Sequence, residues 1–416
     1  MTSQGRTGGT KRSEHSVGPW RYRRVPAGEL PRLGATEQPA GHPFWRSLGW
    51  WKFIQDDPAE EAHVLVVEHQ SDGPALLALT FVIWPGSSIQ LYDPLSIAGD
   101  LAALGGKALD PAAAQRVETA VQRLRAHAPE AYPVVTVAAL GSASGLRPVR
   151  DEVDRDAYRR ALQQAPAVVD AFASEIGAKT RAFLYLDDAE LQALHGGAAR
   201  LGYSPIFLGA DSFLEVPPSG FDGYLARFTS HRRRRIRHEA EAFAKVGARV
   251  AVEEGPAALR DDYARLRAAL RSRYGQRGDV EWARAETARL RDTVRDRVVV
   301  ASARRDGKLL GFVTAFRDGR DLRTRSAGFD YALLRDEYCY FNVVYYEPIR
   351  WAAQRGLERI WYGLGSYEAK ALRGCRFQTR HGLVASTSPI ARYLLEALAV
   401  QGDSERRAIE ELAARS

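Results

Sequence analysis

The hydrophobic positions near the C-terminus predict a helix, a short strand and then a polar turn. Apolar and aromatic residues between positions 339 and 356 recur at the spacing that places side chains on one face of a helix. They are Phe341, Val344, Tyr345, Ile349 and Ala352. Gly356 is the residue type that ends a helix. The strand at 360–362 runs into a glycine-containing turn, and polar side chains at a strand end are where α/β folds tend to place their sites.

Apolar runs elsewhere predict strands and helices in an order that partly recurs. Residues 63–68 and 75–84 flank a Ser-Asp-Gly-Pro turn, which is a strong hairpin signal. The Pro-Pro-Ser-Gly stretch at 217–220 is the best domain boundary. We predict helices at 112–127, 151–164, 167–176, 221–246, 259–273 and 281–295, and strands at 134–139, 182–186, 205–209, 212–216, 247–253, 297–304, 309–316 and 322–329. Hairpin strands followed by a helix and another strand occur on both sides of the boundary, which favours an internal duplication.

Three stretches of the chain carry a family resemblance. The first contains the tyrosine pair 345–346, Gly363 and Gly365, Lys370, and the Arg-Gly pair 373–374. The second is the arginine-rich run 228–239, and the third pairs residues 89–94 with 131–140 as strands. Together they resemble the Fem-like acyltransferases, which are chains of two acetyltransferase-type (GNAT-like) modules that include FemAB-related peptidoglycan biosynthesis proteins. The resemblance covers about residues 45–390.

The resemblance implies an α/β (α+β) fold of two tandem GNAT-like modules. Each module is expected to be a twisted mixed sheet flanked by helices. With the boundary placed above, residues 1–19 are a disordered tail and residues 20–216 the N-terminal module. Residues 217–416 then form the C-terminal module, which the basic helix opens.

Composition excludes several classes of protein. A chain of 416 residues is too long for one ordinary core, and 45% hydrophobic with 26% charged residues is typical of a soluble globular protein. Neither a membrane-spanning run nor an apolar secretion signal is visible, so we expect a cytoplasmic protein. Cys339 and Cys375 are too few for a disulfide framework, and whether they meet is left open. The histidines show no metal-ligand spacing, so no metal is predicted.

The turn after the aromatic helix is the predicted active site. Aminolysis of an ester or thioester needs an acceptor for the amine proton and donors for the developing oxyanion. We predict that Lys370, Glu368, Asp330 and Tyr345 surround one cleft as catalytic residues. Lys370, one of seven lysines, would hold an oxyanion or anionic group, or would instead pair with a buried acid. The residues expected to bind substrate are Tyr346, Asn342, Tyr367, Gly365, Arg373 and His381.

The arginine run of the basic helix suggests a site for the donor. Arg232, Arg233, Arg234, Arg235 and Arg237 would bind phosphate, or would form a solvated helix face. The glycine-rich turn that holds the pyrophosphate of coenzyme A is missing from the second half, and the Gly/Ser loop at 141–145 is a weak substitute. Its absence favours aminoacyl-tRNA or another large carrier as donor, with acyl-CoA as the alternative.

These observations predict an acyl or aminoacyl transferase that forms an amide bond on a small-molecule amine. No bound cofactor is expected. Natural-product or peptidoglycan-precursor biosynthesis fits the resemblance. A coenzyme A-dependent N-acyltransferase is the main alternative. A non-catalytic nucleic-acid-binding protein is the other, motivated by the net charge of +8, the pI of about 9.5 and the arginine helix.

Overall fold

One mixed sheet of 14 strands runs through the described part of the chain. The computed structural model describes residues 15–39, 41–99, 111–273, 276, 278–334 and 338–414. The strands are β1 His15–Val17, β2 Trp20–Val25, β3 Glu61–His69, β4 Gly73–Ile83, β5 Val134–Val137, β6 Leu146–Pro148, β7 Thr180–Leu186, β8 Ser204–Glu215, β9 Arg249–Glu254, β10 Val298–Arg305, β11 Lys308–Asp318, β12 Asp321–Phe329, β13 Arg359–Gly363 and β14 Arg376–Ser386.

Helices cover both faces of this sheet. They are α1 Leu48–Gln55, α2 Pro94–Gly99, α3 Pro111–His127, α4 Arg155–Ile176, α5 Asp188–Arg200, α6 Gly220–Ala226, α7 Ser230–Lys245, α8 Tyr263–Arg273, α9 Val280–Thr293, α10 Cys339–Phe341, α11 Glu347–Gln354, α12 Tyr367–Ala371 and α13 Ala391–Ala414. A π-helical turn, Asn342–Tyr346, joins α10 to α11. The predicted mixed α/β fold class is therefore confirmed.

The strand order repeats within the sheet. Along the sheet the order is β1-β2-β3-β4-β5-β7-β14-β8-β13-β12-β11-β10-β9, with β6 paired to β4. In the N-terminal half β2 to β5 are antiparallel and β7 is parallel to β5. In the C-terminal half β9 to β12 are antiparallel and β13 is parallel to β12. The two halves thus share one topology, as an internal duplication requires.

The halves exchange their last strands at the centre of the sheet. β8 follows β7 in the chain but pairs with β13, and β14 follows β13 but pairs with β7. The exchanged strands also pair with each other, with Gln378 opposite Asp211. The sequence predicts a separate sheet for each half. That separation is wrong, because β8 and β14 make a single sheet that crosses the predicted boundary at residue 217.

The core is shared between the halves as well. Phe44 of the N-terminal half stacks on Phe316 of β11 with ring centroids 4.5 Å apart, and Trp50 contacts the same ring. The C-terminal helix α13 packs on β8 and α3. Gly402 permits this close approach, since a Cβ there would lie 2.8 Å from the Phe207 carbonyl oxygen. Side chains from the two halves therefore form one hydrophobic core at their junction.

Local differences from the predicted elements have local causes. The helices predicted at 151–164 and 167–176 are one helix, α4, which contains Pro166. The basic helix predicted at 221–246 breaks into α6 and α7, because the Thr229 hydroxyl accepts from the Arg232 N–H and caps α7. Of the predicted tail, residues 1–14 lie outside the described residues, whereas His15–Val17 pairs with β2. Residues 89–94 hold a 3₁₀ turn and the start of α2 instead of a strand.

The exchange predicts that neither half folds alone. A fragment of residues 15–217 lacks β14 and a fragment of residues 218–414 lacks β8, so each exposes unpaired strand edges and an open core. We expect each fragment to be unfolded or aggregated when expressed alone, and the two to reconstitute when co-expressed. Circular dichroism and size-exclusion chromatography measure this. A single fragment that unfolds cooperatively near the temperature of the intact chain would contradict it.

Candidate functional site

A polar cavity of about 690 Å³ lies where strand ends of both halves meet. Ser142 enters it from the segment after β5, and Asp187 from the end of β7. The starts of β12 and β13 and the middle of β14 form the other side. Seven arginines and five carboxylates line the cavity. They are Arg46, Arg297, Arg317, Arg320, Arg323, Arg359 and Arg380, with Asp187, Glu190, Asp318, Asp321 and Glu358.

The C-terminal side of the cavity is an ordered network of ion pairs. The Arg323 guanidinium lies 4.6 Å from the Trp361 ring centre and pairs through Nε with Asp318. Trp361 Nε1 donates to Asp321 Oδ2 at 2.8 Å, and Arg359 Nε lies 3.0 Å from Asp321 Oδ1. Each of these charged side chains thus contacts one of opposite charge, which favours a fixed arrangement of the network.

The N-terminal side is equally constrained. Arg46 Nη2 lies 2.6 Å from Glu190 Oε1 and donates to the Ser144 hydroxyl at 2.9 Å. The same guanidinium contacts His42 Nδ1 at 2.8 Å. Burial and the positive charge of Arg46 lower the pKa of His42 to about 3, so this imidazole stays neutral at physiological pH and accepts from Arg46. Glu190 also forms the capping box at the start of α5 with Asp187.

Two cavity arginines are held mainly by neutral groups. Arg297 Nη1 donates to the Gln38 side chain. Arg380 donates through Nε to the Ser142 carbonyl at 2.6 Å and through Nη2 to the Gln378 side chain at 3.0 Å. Arg380 Nη2 also lies 3.8 Å from Asp211 Oδ2, beyond hydrogen-bond distance. A guanidinium whose hydrogen-bond partners are neutral retains its attraction for an anion. Arg297 and Arg380 are therefore the cavity's candidate contacts for an anionic ligand group.

None of the residues predicted from sequence lines this cavity. Lys370 is buried, and its ammonium donates to three carbonyl oxygens: Tyr362 at 3.0 Å, Gly363 at 2.8 Å and Leu364 at 3.0 Å. An ammonium has three donors, so all of them are occupied. The structure places Lys370 as the group that closes the turn after β13, and this geometry leaves it no donor for an oxyanion.

The other predicted catalytic residues are held in contacts of their own. Glu368 is exposed on α12. Asp330 accepts from Arg265 Nη2 at 2.7 Å and from two backbone N–H groups of its own loop, and these bonds lower the pKa of its carboxyl. Tyr345 is buried and stacks on Tyr362 at 4.5 Å, and burial raises the pKa of its phenol. None of these three side chains lines the arginine-rich cavity.

Three of the predicted substrate-binding residues do come together, around a carboxylate that sequence analysis did not single out. Glu239 of α7 is fully buried, accepts from the Tyr346 hydroxyl and lies 2.9 Å from Arg373 Nη2. Asn342 donates to the Glu239 carbonyl at 3.2 Å. This network packs α7 onto the π-helical turn and onto the turn that follows α12.

The remaining predicted substrate-binding residues lie elsewhere. The Tyr367 hydroxyl accepts from the Ala210 N–H at 3.0 Å and so joins α12 to the exchanged strand β8. Gly365 has φ of 72°, which the turn before α12 requires. His381 contacts Asp188 Oδ1 at 2.7 Å, next to the cavity residue Arg380.

The arginine run of α7 is only partly free to bind a ligand. Arg232 donates to the Leu372 carbonyl at 2.7 Å, Arg233 to the Phe228 carbonyl at 2.9 Å, and Arg235 pairs with Glu239. Arg234 and Arg237 are exposed, and neither has a hydrogen-bond or ion-pair partner among the residues that the structure describes. Within the arginine run, the available positive charge is therefore on these two side chains.

A scan against family models matches residues 122–414 to the FemAB-like family, described as peptidoglycan biosynthesis/recognition. The chain belongs to the FemAB-like family. A comparison with curated protein sequences finds no match. Among solved structures, FemX is 10% identical with a TM-score of 0.55, over 90% of this chain and 99% of that one. A tandem GNAT protein from the clavulanic acid biosynthesis pathway is 11% identical with a TM-score of 0.46, over 89% and 99%.

A conserved protein of unknown function from Bacteroides thetaiotaomicron is 11% identical with a TM-score of 0.49, over 88% of this chain and 99% of that one. The likeness to FemX shows the fold of this FemAB-like chain, and family membership indicates a transferase of the Fem type. Across the described helices, none has the length and apolar character needed to cross a membrane. Within the same residues, no group of three or more His, Cys, Asp or Glu side chains is arranged to hold a metal ion.

The position of Lys370 predicts a loss of stability on substitution. Lys370→Met should lower the free energy of unfolding by about 3 kcal/mol, since each buried carbonyl left without a donor costs about 1–3 kcal/mol. Lys308→Met, at an exposed lysine of β11, is the matched control and should change little. Urea denaturation measures both. Full stability of the Lys370 variant together with lost transferase activity would restore Lys370 to the active site.

The contribution of Lys370 should also depend on pH. Burial lowers the pKa of its ammonium to about 8, below its ordinary value of 10.5, while Asp211 opposes the shift. Between these two pH values the unfolded chain binds more protons than the folded chain, so this group makes stability rise with pH. The stability difference between the parent chain and Lys370→Met should therefore grow from pH 7.5 to pH 9.5.

Proposed function

We propose that the chain transfers an acyl or aminoacyl group to an amine and forms an amide bond. The observation that carries the proposal is the arginine-lined cavity at the meeting point of the two halves of a FemAB-like chain. Strand ends from both halves supply its walls, so a donor held by one half and an acceptor held by the other would meet there. Holding two reactants in one fixed geometry supplies much of the rate of such a reaction.

The acceptor is an amine that also carries an anionic group. Arg297 and Arg380 donate their hydrogen bonds to neutral groups, and both reach the cavity. A carboxylate or phosphate of the acceptor would replace those weaker contacts with charge-assisted hydrogen bonds. Peptidoglycan precursors and amino-acid-like natural-product intermediates both have this chemistry.

The donor is aminoacyl-tRNA. Arg234 and Arg237 present unpaired positive charge on an exposed helix face, which suits a phosphate backbone. Acyl-CoA is the second candidate, and the loop at 141–145 does not favour it. A Cβ at Gly141 would lie 2.4 Å from Trp45, and one at Gly145 would lie 2.5 Å from the Leu79 carbonyl oxygen. Both glycines of this loop are therefore packed against the core, which leaves little room for a pyrophosphate beside them.

Removing the Arg297 guanidinium should weaken acceptor binding. Arg297→Ala should raise KM for an anionic amine acceptor about 10- to 100-fold with a smaller effect on kcat, because a hydrogen bond to a charged group contributes about 1.5–3 kcal/mol. Arg295→Ala removes an exposed arginine two positions away and serves as the control. Unchanged KM in Arg297→Ala would place the anionic group elsewhere.

The donor is tested by transfer from bulk tRNA charged with radiolabelled amino acids, with acetyl-CoA in a parallel reaction. Peptidoglycan pentapeptide precursor and free amino acids are the acceptor probes, and the amide product is detected by mass spectrometry. We expect product from charged tRNA and its loss after ribonuclease treatment. Product from acetyl-CoA alone would favour the coenzyme A alternative. Binding of tRNA without transfer to any amine would favour a nucleic-acid-binding protein.

The surface of α7 provides the matched variants for that assay. Arg234→Ala/Arg237→Ala should weaken tRNA binding and reduce the slope of log Kd against log salt by about 1.4–1.8, since each phosphate contact contributes about 0.7–0.9. Arg123→Ala/Arg159→Ala removes two exposed arginines from α3 and α4 and keeps the net charge equal. If both double variants bind alike, the helix is a solvated face.

A further inference from the structure

A fully buried carboxylate lies directly behind the floor of the cavity. Asp211 is on the exchanged strand β8, opposite Gln378 of β14, and none of its surface is exposed. Asp211 Oδ2 accepts a hydrogen bond from the Ser142 hydroxyl. Asp211 Oδ1 is buried without a hydrogen-bond partner among the described residues. A buried carboxylate oxygen with no partner is costly, so its presence calls for a reason.

Ser142 connects this carboxylate to the cavity. Ser142 lines the cavity, whereas Asp211 does not. The backbone around Ser142 is fixed, because its carbonyl accepts from Arg380 Nε at 2.6 Å. A proton that left a bound substrate could therefore reach Asp211 through the Ser142 hydroxyl, which is the group interposed between them.

Positive charges lie near the Asp211 carboxylate but do not donate hydrogen bonds to it, so its oxygens stay available to accept a proton. Arg380 Nη2 of β14 and Arg323 Nη1 of β12 lie 3.8 and 3.9 Å from Oδ2, beyond hydrogen-bond distance. Both guanidiniums donate to other groups instead. The Lys370 ammonium on α12 and the Tyr92 phenol also act on Asp211 electrostatically. Burial raises the pKa of the Asp211 carboxyl, and the three cations only partly offset it.

From this geometry we infer that Ser142 and Asp211 form the proton-accepting pair for the acyl transfer proposed above. The attacking amine forms the new N–C bond and gives its proton to Ser142 Oγ while the Ser142 proton moves to Asp211 Oδ2. The carbon–oxygen bond of the tRNA ester, or the carbon–sulfur bond of a thioester, then breaks. The proton returns from Asp211 through Ser142 to the leaving oxygen or sulfur, and both residues regain their starting state.

Ser142 is the catalytic residue in this scheme, since it touches the substrate, and Asp211 acts through it. Ser142→Ala should lower kcat/KM about 100-fold, the lower range for a general base. The Ser142→Ala/Asp211→Asn double variant should be no slower than the slower single variant, because the pair acts as one unit. Ser212→Ala is the control, because Ser212 is the buried neighbour of Asp211 on β8 and its hydroxyl has no hydrogen-bond partner in the described chain.

The pH profile separates this role from a structural one. In the parent enzyme, kcat/KM should rise with pH on the acidic side of the profile as Asp211 ionises. Ser142→Ala and Asp211→Asn should both lose this acidic limb. Thermal unfolding of each variant identifies any that fail to fold, and Ser142→Ala is the milder change. An acidic limb that persists in a folded Ser142→Ala enzyme overturns the inference but leaves the proposed function standing. A parent enzyme that transfers to no amine from either donor overturns the proposed function.

A second measurement does not depend on turnover. Infrared difference titration of the intact chain should show a buried protonated carboxyl that ionises above the ordinary range of aspartate and is lost in Asp211→Asn. Ser142→Ala should move that titration to higher pH, since the ionised form loses its hydroxyl donor. If Asp211 stays ionised down to pH 4 in both the parent chain and Ser142→Ala, it is a permanent counter-ion of Arg323 and Arg380. That result would exclude Asp211 as the base.

Discussion

The exchange of β8 and β14 is the constraint on which the rest of the structure depends. Each strand leaves the half that precedes it in the chain and completes the sheet of the other half. Their pairing brings Asp211 beside Arg380, and it holds the segment after β5 within reach of the start of β12. The cavity therefore exists only in the joined molecule. Neither half could build it alone, because its walls come from both.

Several cations in this chain stabilise carbonyl-rich turns through hydrogen bonds to the backbone. Lys370 holds three carbonyls after β13, and Arg232 holds the carbonyl of Leu372 at the end of the same segment. Arg147 is fully buried and donates to the carbonyls of Thr36, Glu37 and Arg46. These charge-assisted hydrogen bonds provide donors for backbone carbonyl oxygens that have no partner within a strand or a helix. A conspicuous cation in a polar turn is thus weak evidence for catalysis here.

Sequence reasoning predicted the elements well where the apolar pattern was long and regular. The hairpin of β3 and β4, the strands β10 to β12 and the helix through 339–354 were predicted within a few residues. α13 lay beyond the predicted elements, although its apolar positions pack on β8. The exchange had no local signal, because strand order depends on contacts between residues far apart in the chain. Family resemblance was confirmed, but two separate sheets were wrongly expected.

The cavity was missed for a related reason. Its arginines are scattered from position 46 to position 380 in a chain that is rich in arginine throughout, so no single stretch marks them. One local signal was available. Residues 317–323 alternate Arg and Asp between two apolar strands, Arg-Asp-Gly-Arg-Asp-Leu-Arg, and supply five of the charged groups of the cavity. A turn between buried strands that carries both signs of charge is costly unless the charges meet partners across the fold. Charges of both signs in such a turn are therefore a better sign of a site than a run of like charges on one helix. The like charges can simply face solvent, whereas the mixed charges need partners that the tertiary structure brings to them.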